Sequence, residues 1–137
     1  MLKKTITYTD YDGNQRTEDF YFNMSKAEIM EMELGTTGGF TESLKKIIAA
    51  QDTPRLAKIF KELVLNSYGI KSDDGRRFIK KNVLSEEFSQ TEAYSILYME
   101  LATNADAAAD FINGIVDKDI SEQMAAQNKE NLMSVIK

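Results

Sequence analysis

Apolar and polar positions alternate over residues 2–9. Leu2, Ile6 and Tyr8 fall on one face and Lys3, Thr5, Thr7 and Thr9 on the other, with Lys4 interrupting the apolar side. Period two marks a half-buried strand. Asp12-Gly13 is a strong hairpin dipeptide, because the glycine accepts the positive φ that a tight turn requires. Alternation then resumes, with Phe20, Phe22 and Met24 opposite Asp19, Tyr21 and Asn23. The pattern predicts a β-hairpin over 2–10 and 15–23. A lone hairpin is marginal in water, so its aromatic face must pack on helices or on a partner's strand.

After residue 24 the period lengthens. Ser25-Lys26-Ala27-Glu28 reads as a capping box, in which the serine hydroxyl and the Glu28 carboxylate satisfy each other's backbone amides. It opens a helix over 26–34 that stops at Gly35. A second helix starts near Thr41 and carries Leu44, Ile47 and Ile48 on one stripe. Asp52-Thr53-Pro54 ends it and opens a third over 54–67, with the proline in the first turn. Its stripe is Leu56, Ile59, Phe60, Leu63, Val64 and Ser67. Gly69 reads as the cap that terminates it, and Ser72-Asp73-Asp74-Gly75 as a turn. Phe78 and Ile79 anchor the next stretch to the core, and a short turn opens at Ser85 and ends near Phe88.

Thr91 caps a helix to about Thr103 with Tyr94, Leu97, Tyr98 and Leu101 in register. Another begins at Asn104 or Ala105, with Ala108, Phe111, Ile112 and Ile115 on its stripe. Residues 118–137 are weaker: Ile120 and Met124 begin a stripe that the polar run 127–131 interrupts before Leu132, Val135 and Ile136. The expectation is an α+β fold, mainly α: an N-terminal hairpin, a compact bundle of about five helices and a weak C-terminal helix. Residues 1–117 would form one globular domain. Residues 118–137 would be a marginally helical segment or one that orders on binding.

Composition narrows the chemistry. The 137 residues include no His, no Cys and no Trp, and one Pro. Without Cys there is no disulfide frame and no thiolate nucleophile. Without His there is no imidazole base, metal ligand or pH switch of the usual kind. An enzyme would have to rely on carboxylates, Lys, Tyr or hydroxyls, so no catalysis, metal or cofactor is expected. No window approaches the ~20 apolar residues of a membrane span. At 42% hydrophobic residues and this length, a sizeable core can form without staples.

Charge is uneven. The total is −5, yet residues 1–81 hold 14 basic and 12 acidic side chains and residues 82–137 hold 3 and 10. Positive charge gathers in 71–81, where Lys71, Arg76, Arg77, Lys80 and Lys81 face only Asp73 and Asp74. That stretch could meet phosphate or an acidic partner, but the acidic second half would repel a nucleic acid. Asp73-Asp74-Gly75 does not extend to a calcium loop. With Gly75 at the loop glycine, the first and twelfth ligand positions fall on Ile70 and Lys81. Gly35-Thr36-Thr37-Gly38-Gly39 lacks the Gly-Lys-Ser/Thr ending of a phosphate loop and reads as a hinge. The seven methionines suit adaptable binding surfaces, most of all Met124 and Met133 in the weak tail.

Several runs resemble one family. Phe60-Lys61-Glu62-Leu63 and the stretch Ser67-Tyr68-Gly69-Ile70-Lys71-Ser72-Asp73-Asp74-Gly75-Arg76-Arg77-Phe78-Ile79-Lys80 are similar to the tail assembly chaperones of long-tailed bacteriophages and related prophages. So are Phe88-Ser89-Gln90-Thr91-Glu92-Ala93-Tyr94, Glu100-Leu101-Ala102 and Phe111-Ile112-Asn113, and the opening Lys3-Lys4-Thr5-Ile6-Thr7-Tyr8 with Asp12-Gly13. The resemblance covers about residues 2–116. It implies a non-enzymatic role in the host cytoplasm: binding the tape measure protein, keeping it soluble and helping tail tube subunits polymerise around it. It implies absence from the mature virion and, in many such phages, a longer frameshifted form as partner. Phe20 and Phe22 on the hairpin, Lys71, Arg76 and Arg77 in the basic stretch, and Ile120, Met124, Leu132, Met133, Val135 and Ile136 in the tail are the expected partner-binding residues. They would serve self-assembly or client binding. The alternative is a small nucleic-acid-binding regulator using residues 71–81.

Overall fold

In a computed structural model, residues 1–116 are described. The strands are β1 (Leu2–Thr9), β2 (Gln15–Phe22), β3 (Tyr68–Lys71) and β4 (Phe78–Ile79). The helices are α1 (Lys26–Gly35), α2 (Phe40–Ala49), α3 (Thr53–Ser67), α4 (Asn82–Ser89), α5 (Glu92–Thr103) and α6 (Ala105–Ile115). This is an α+β fold, mainly α, as the patterning predicts. The expectation for 118–137 lies outside the described residues.

The hairpin forms with Leu2 opposite Phe22 and Thr9 opposite Gln15. It is not alone: β3 pairs antiparallel with β2 and β4 with β3, giving a sheet in the order β1-β2-β3-β4. This changes the reading of Gly69. It does not cap α3, because the helix runs straight into β3 and Gly69 sits opposite Tyr21. The side-chain side of Gly69 is filled by the Phe78 ring and the Ile79 carbonyl, so only hydrogen fits there.

One sheet face is dry and the other wet. On the wet face Thr5 donates to Asp19 at 2.6 Å, and the Thr7 and Thr17 hydroxyls share a bond of 2.9 Å. On the dry face Ile6 is buried and Leu2 and Tyr8 pack at the core's edge. Lys4, the polar exception on that face, reaches out to Glu100 on α5 at 3.4 Å, so its stem covers apolar surface while its ammonium stays paired and wet.

The helices begin where the capping residues predict. Both halves of the Ser25–Glu28 box are made, at 3.2 and 3.0 Å. Thr91 accepts from the Tyr94 amide and Asn104 from the Ala107 amide. The exception is α4, which starts at Asn82 rather than Ser85. Ser85 does not cap it, since its hydroxyl donates to the Leu65 carbonyl at 2.8 Å and ties α4 to α3.

Phe22 is at the centre of the core, with 0% of its surface exposed. Phe111, Phe88 and Tyr68 surround it with ring centroids 5.3–5.7 Å away. Tyr68 stacks on Phe88 at 4.4 Å, and Tyr94 meets Phe88 edge-on. Just beyond β2 the Asn23 amide donates to the Ser67 carbonyl and the Met24 amide to the Ile115 carbonyl, both at 2.8 Å. Two residues thereby bind the hairpin to the ends of α3 and α6.

Candidate partner-binding surface

The basic stretch folds as the β3–β4 hairpin, and its loop is held by its own polar groups. Ser72, nearly buried, donates its hydroxyl to Asp74 at 2.7 Å and accepts the Arg77 amide at 3.0 Å. Its backbone amide reaches the Arg77 carbonyl at 2.8 Å, and its carbonyl accepts from Gly75 at 2.9 Å. Gly75 adopts a φ of 75°, which favours glycine. The Arg76 amide, together with the Ser72 hydroxyl, holds the Asp74 carboxyl below its ordinary value. Asp74 is therefore an acceptor internal to the turn. Lys71, Arg76 and Arg77 stand exposed around it. Among the described residues, none of these three is held in an ion pair.

Lys80 behaves differently. It turns back to Glu28 on α1 at 2.6 Å, with the Met24 sulfur 3.8 Å away. Glu28 uses both oxygens: one accepts the Ser25 amide and the other holds Lys80. Burial pushes its carboxyl up, but the Lys80 ammonium and the Ser25 amide outweigh that, so it titrates below the usual value. A depressed carboxylate stabilises the fold above its unfolded pKa, and that contribution is lost as pH falls through the folded pKa. Lys80→Met should therefore flatten the acid limb of a stability profile below about pH 4.5, the ordinary carboxylate value. Urea midpoints taken across that range check it.

The Glu28–Lys80 pair borders an open cleft of about 440 Å³. Met24, Met32 and Leu65 give it an apolar floor, and Glu31, Asn66, Lys81, Asn82 and Ser85 complete the polar rim. Flexible methionines beside a polar rim suit an adaptable contact surface.

Two helices are apolar on both sides. In α1, Ile29 is buried, while Met30 and Leu34, one turn apart, are 58% and 78% exposed. In α5, Ala93, Leu97 and Leu101 face the core while Ile96 and Met99 face water. A helix apolar all round is normally buried on both sides, so these strips are surplus to the fold. Sequence reading misses them because α1 is read from its capping box alone and α5 from its inward stripe. The signal was the second spacing, 30 to 34 and 96 to 99.

The expected partner residues are scattered. Phe20 is half-buried, with Phe88 5.1 Å away. Phe22 has no exposed surface, and its ring belongs to the core. Lys71, Arg76 and Arg77 are brought together. Ile120, Met124, Leu132, Met133, Val135 and Ile136 lie outside the described residues. Among the described residues no cluster of three or more acidic side chains could hold a metal, and no helix is long and apolar enough to cross a membrane.

No curated protein and no solved structure matches the chain. A family model described as phage tail assembly chaperone matches residues 1–135, which takes in both the described fold and nearly all of the segment beyond it. The chain belongs to the phage tail assembly chaperone family.

Proposed function

We propose that this protein binds the tape measure protein of its phage, keeps it soluble and promotes tail tube assembly around it, without catalysis. The match of the family model to residues 1–135 carries the reading. The physical character of the surface supports it. A long amphipathic client is covered by apolar strips and shallow clefts rather than by a deep pocket. The exposed Met30–Leu34 and Ile96–Met99 strips and the Met24–Met32 cleft have that character. The protein acts in the host cytoplasm as several copies on one client, with a longer frameshifted form and the tail tube protein as further partners. It leaves before the virion matures. Residues 1–117 form the folding unit and residues 118–137 a client-binding extension.

Co-expression with the tape measure protein tests this. With the full chain, the client should stay in the soluble fraction. With residues 118–137 deleted, most of the client should move to the pellet while the chaperone itself melts within a few degrees of the full chain. Equal solubilisation by the truncated chain, or its unfolding, would overturn the role given to that extension. Client that pellets alongside the full chain would overturn the function.

A further inference from the structure

The described chain ends beside the cleft. The Met24 amide donates to the Ile115 carbonyl at 2.8 Å, while the sulfur of the same residue lies 3.8 Å from the Lys80 ammonium on the cleft rim. Met24 thus joins the end of α6 to the cleft floor. Val116 packs on the core with an extended backbone (φ −90°, ψ 151°), so the chain leaves the axis of α6 there. Residues 117–137 follow in sequence.

Ile120 comes four residues after Val116, within about 14 Å of extended chain. Met124 comes four residues later, the spacing that places two side chains on one helix face. An amphipathic segment lays anchors of that kind into an apolar groove. The groove is Met24, Met32 and Leu65, and Met32 and Leu65 are only partly covered by the core. Charge does not oppose the match. Glu28 and Lys80 neutralise each other on the rim, which leaves Glu31 and Lys81 with opposite signs. The segment opens with Asp117, Lys118 and Asp119 and offers both signs in return. The Met30–Leu34 and Ile96–Met99 strips are apolar too, but among the described hydrogen bonds none ties either strip to the end of α6.

We infer that residues 117–137 fold back over this cleft, with Ile120 and Met124 seated on Met24, Met32 and Leu65. The segment is tethered at the site it covers, so the contact forms within one chain at an effective concentration in the millimolar range. A client that engages the segment draws it off the cleft and so uncovers a second apolar contact. That use rests on the chaperone reading; the contact itself does not.

Disulfide trapping in the full chain, without client, tests it. The sequence has no Cys, so an introduced pair reports on itself alone. Met32→Cys with Met124→Cys should close a link within one chain roughly tenfold faster than Met30→Cys with Met124→Cys, which shares the tether but sits on the exposed side of α1. That rate should be the same in dilute and concentrated protein. Methionine-methyl NMR is the second measurement and needs no link. In Ile120→Asp with Met124→Asp the Met24 and Met32 methyls should shift while those of Met30 and Met99 stay in place, with melting curves confirming that each variant folds. Equal trapping at the two positions, or Met24 and Met32 methyls that do not move, would overturn the inference. Links that form only between chains, at a rate that rises with concentration, would assign the cleft to a second copy instead. Because no client is present, failure here leaves client solubilisation standing as a separate result.

Discussion

Replacing Phe22 with alanine should lower the melting midpoint by roughly 12–24 °C, since a fully buried Phe→Ala change costs ~4 kcal/mol at a few degrees per kcal/mol. The size follows from position. The ring is fully enclosed and touches aromatic side chains from β3, α4 and α6, so its removal opens a cavity where three elements converge. Against a typical total of about 5–15 kcal/mol, that is a large fraction of the stability. Phe20→Ala is the control. It lies two residues earlier on the same face but is half-buried, so water can enter part of the space and the loss should be less than half as large. Thermal melts followed by circular dichroism separate the two. Equal effects would show that the hairpin face is uniformly buried rather than centred on one ring.

Gly69→Ala should cost about 3 kcal/mol, the upper part of the range for overfilling a packed site. The backbone at Gly69 is ordinary extended chain, so the cost is one of space. An added Cβ would be 2.7 Å from the Ile79 carbonyl oxygen and 2.8 Å from the Phe78 ring. A ring can rotate aside, but a carbonyl belonging to the Ile70–Ile79 strand pair cannot move without opening that pair. Adding Phe78→Ala should therefore fail to rescue the variant. Hydrogen exchange should quicken first at the β3 and β4 amides, with β1–β2 protection kept until global unfolding. A variant that melts like the parent would mean that β4 is not held against β3 at this point.

The contrast between those two positions shows what the sequence made legible. Phe22 falls on a clean alternation beside a turn dipeptide, and the helices carry their own start signals at Ser25, Asp52, Thr91 and Asn104. Information of that kind is local. Gly69 is different because its partners, Tyr21 and the Phe78–Ile79 strand, are distant in sequence or too short to show a period. A glycine after a long helix therefore resembles a cap. The same limit applies to the basic stretch. Lys71, Arg76, Arg77, Lys80 and Lys81 look alike in the chain, yet Lys80 is withdrawn by a carboxylate 52 residues away. The other four stay out of any ion pair among the described residues, and no property of the stretch itself distinguishes them. Ile96 and Met99 are hidden for another reason: a helix with one adequate apolar stripe, here Tyr94, Leu97, Tyr98 and Leu101, gives no cause to look for a second.

The amides of Asn23 and Met24 have a consequence for synthesis. Their acceptors are Ser67 and Ile115, and β2's second neighbour is β3. The hairpin can close as soon as it leaves the ribosome, because its contacts are local. Its outer edge and aromatic face then wait for residues not yet made. At about 5–20 residues per second, adding the chain from Met24 to Ile115 takes roughly 5–20 s. For that interval the nascent chain displays an open strand edge and a set of uncovered aromatic rings. Among the described elements the hairpin emerges first and is enclosed last, by the final turn of α6.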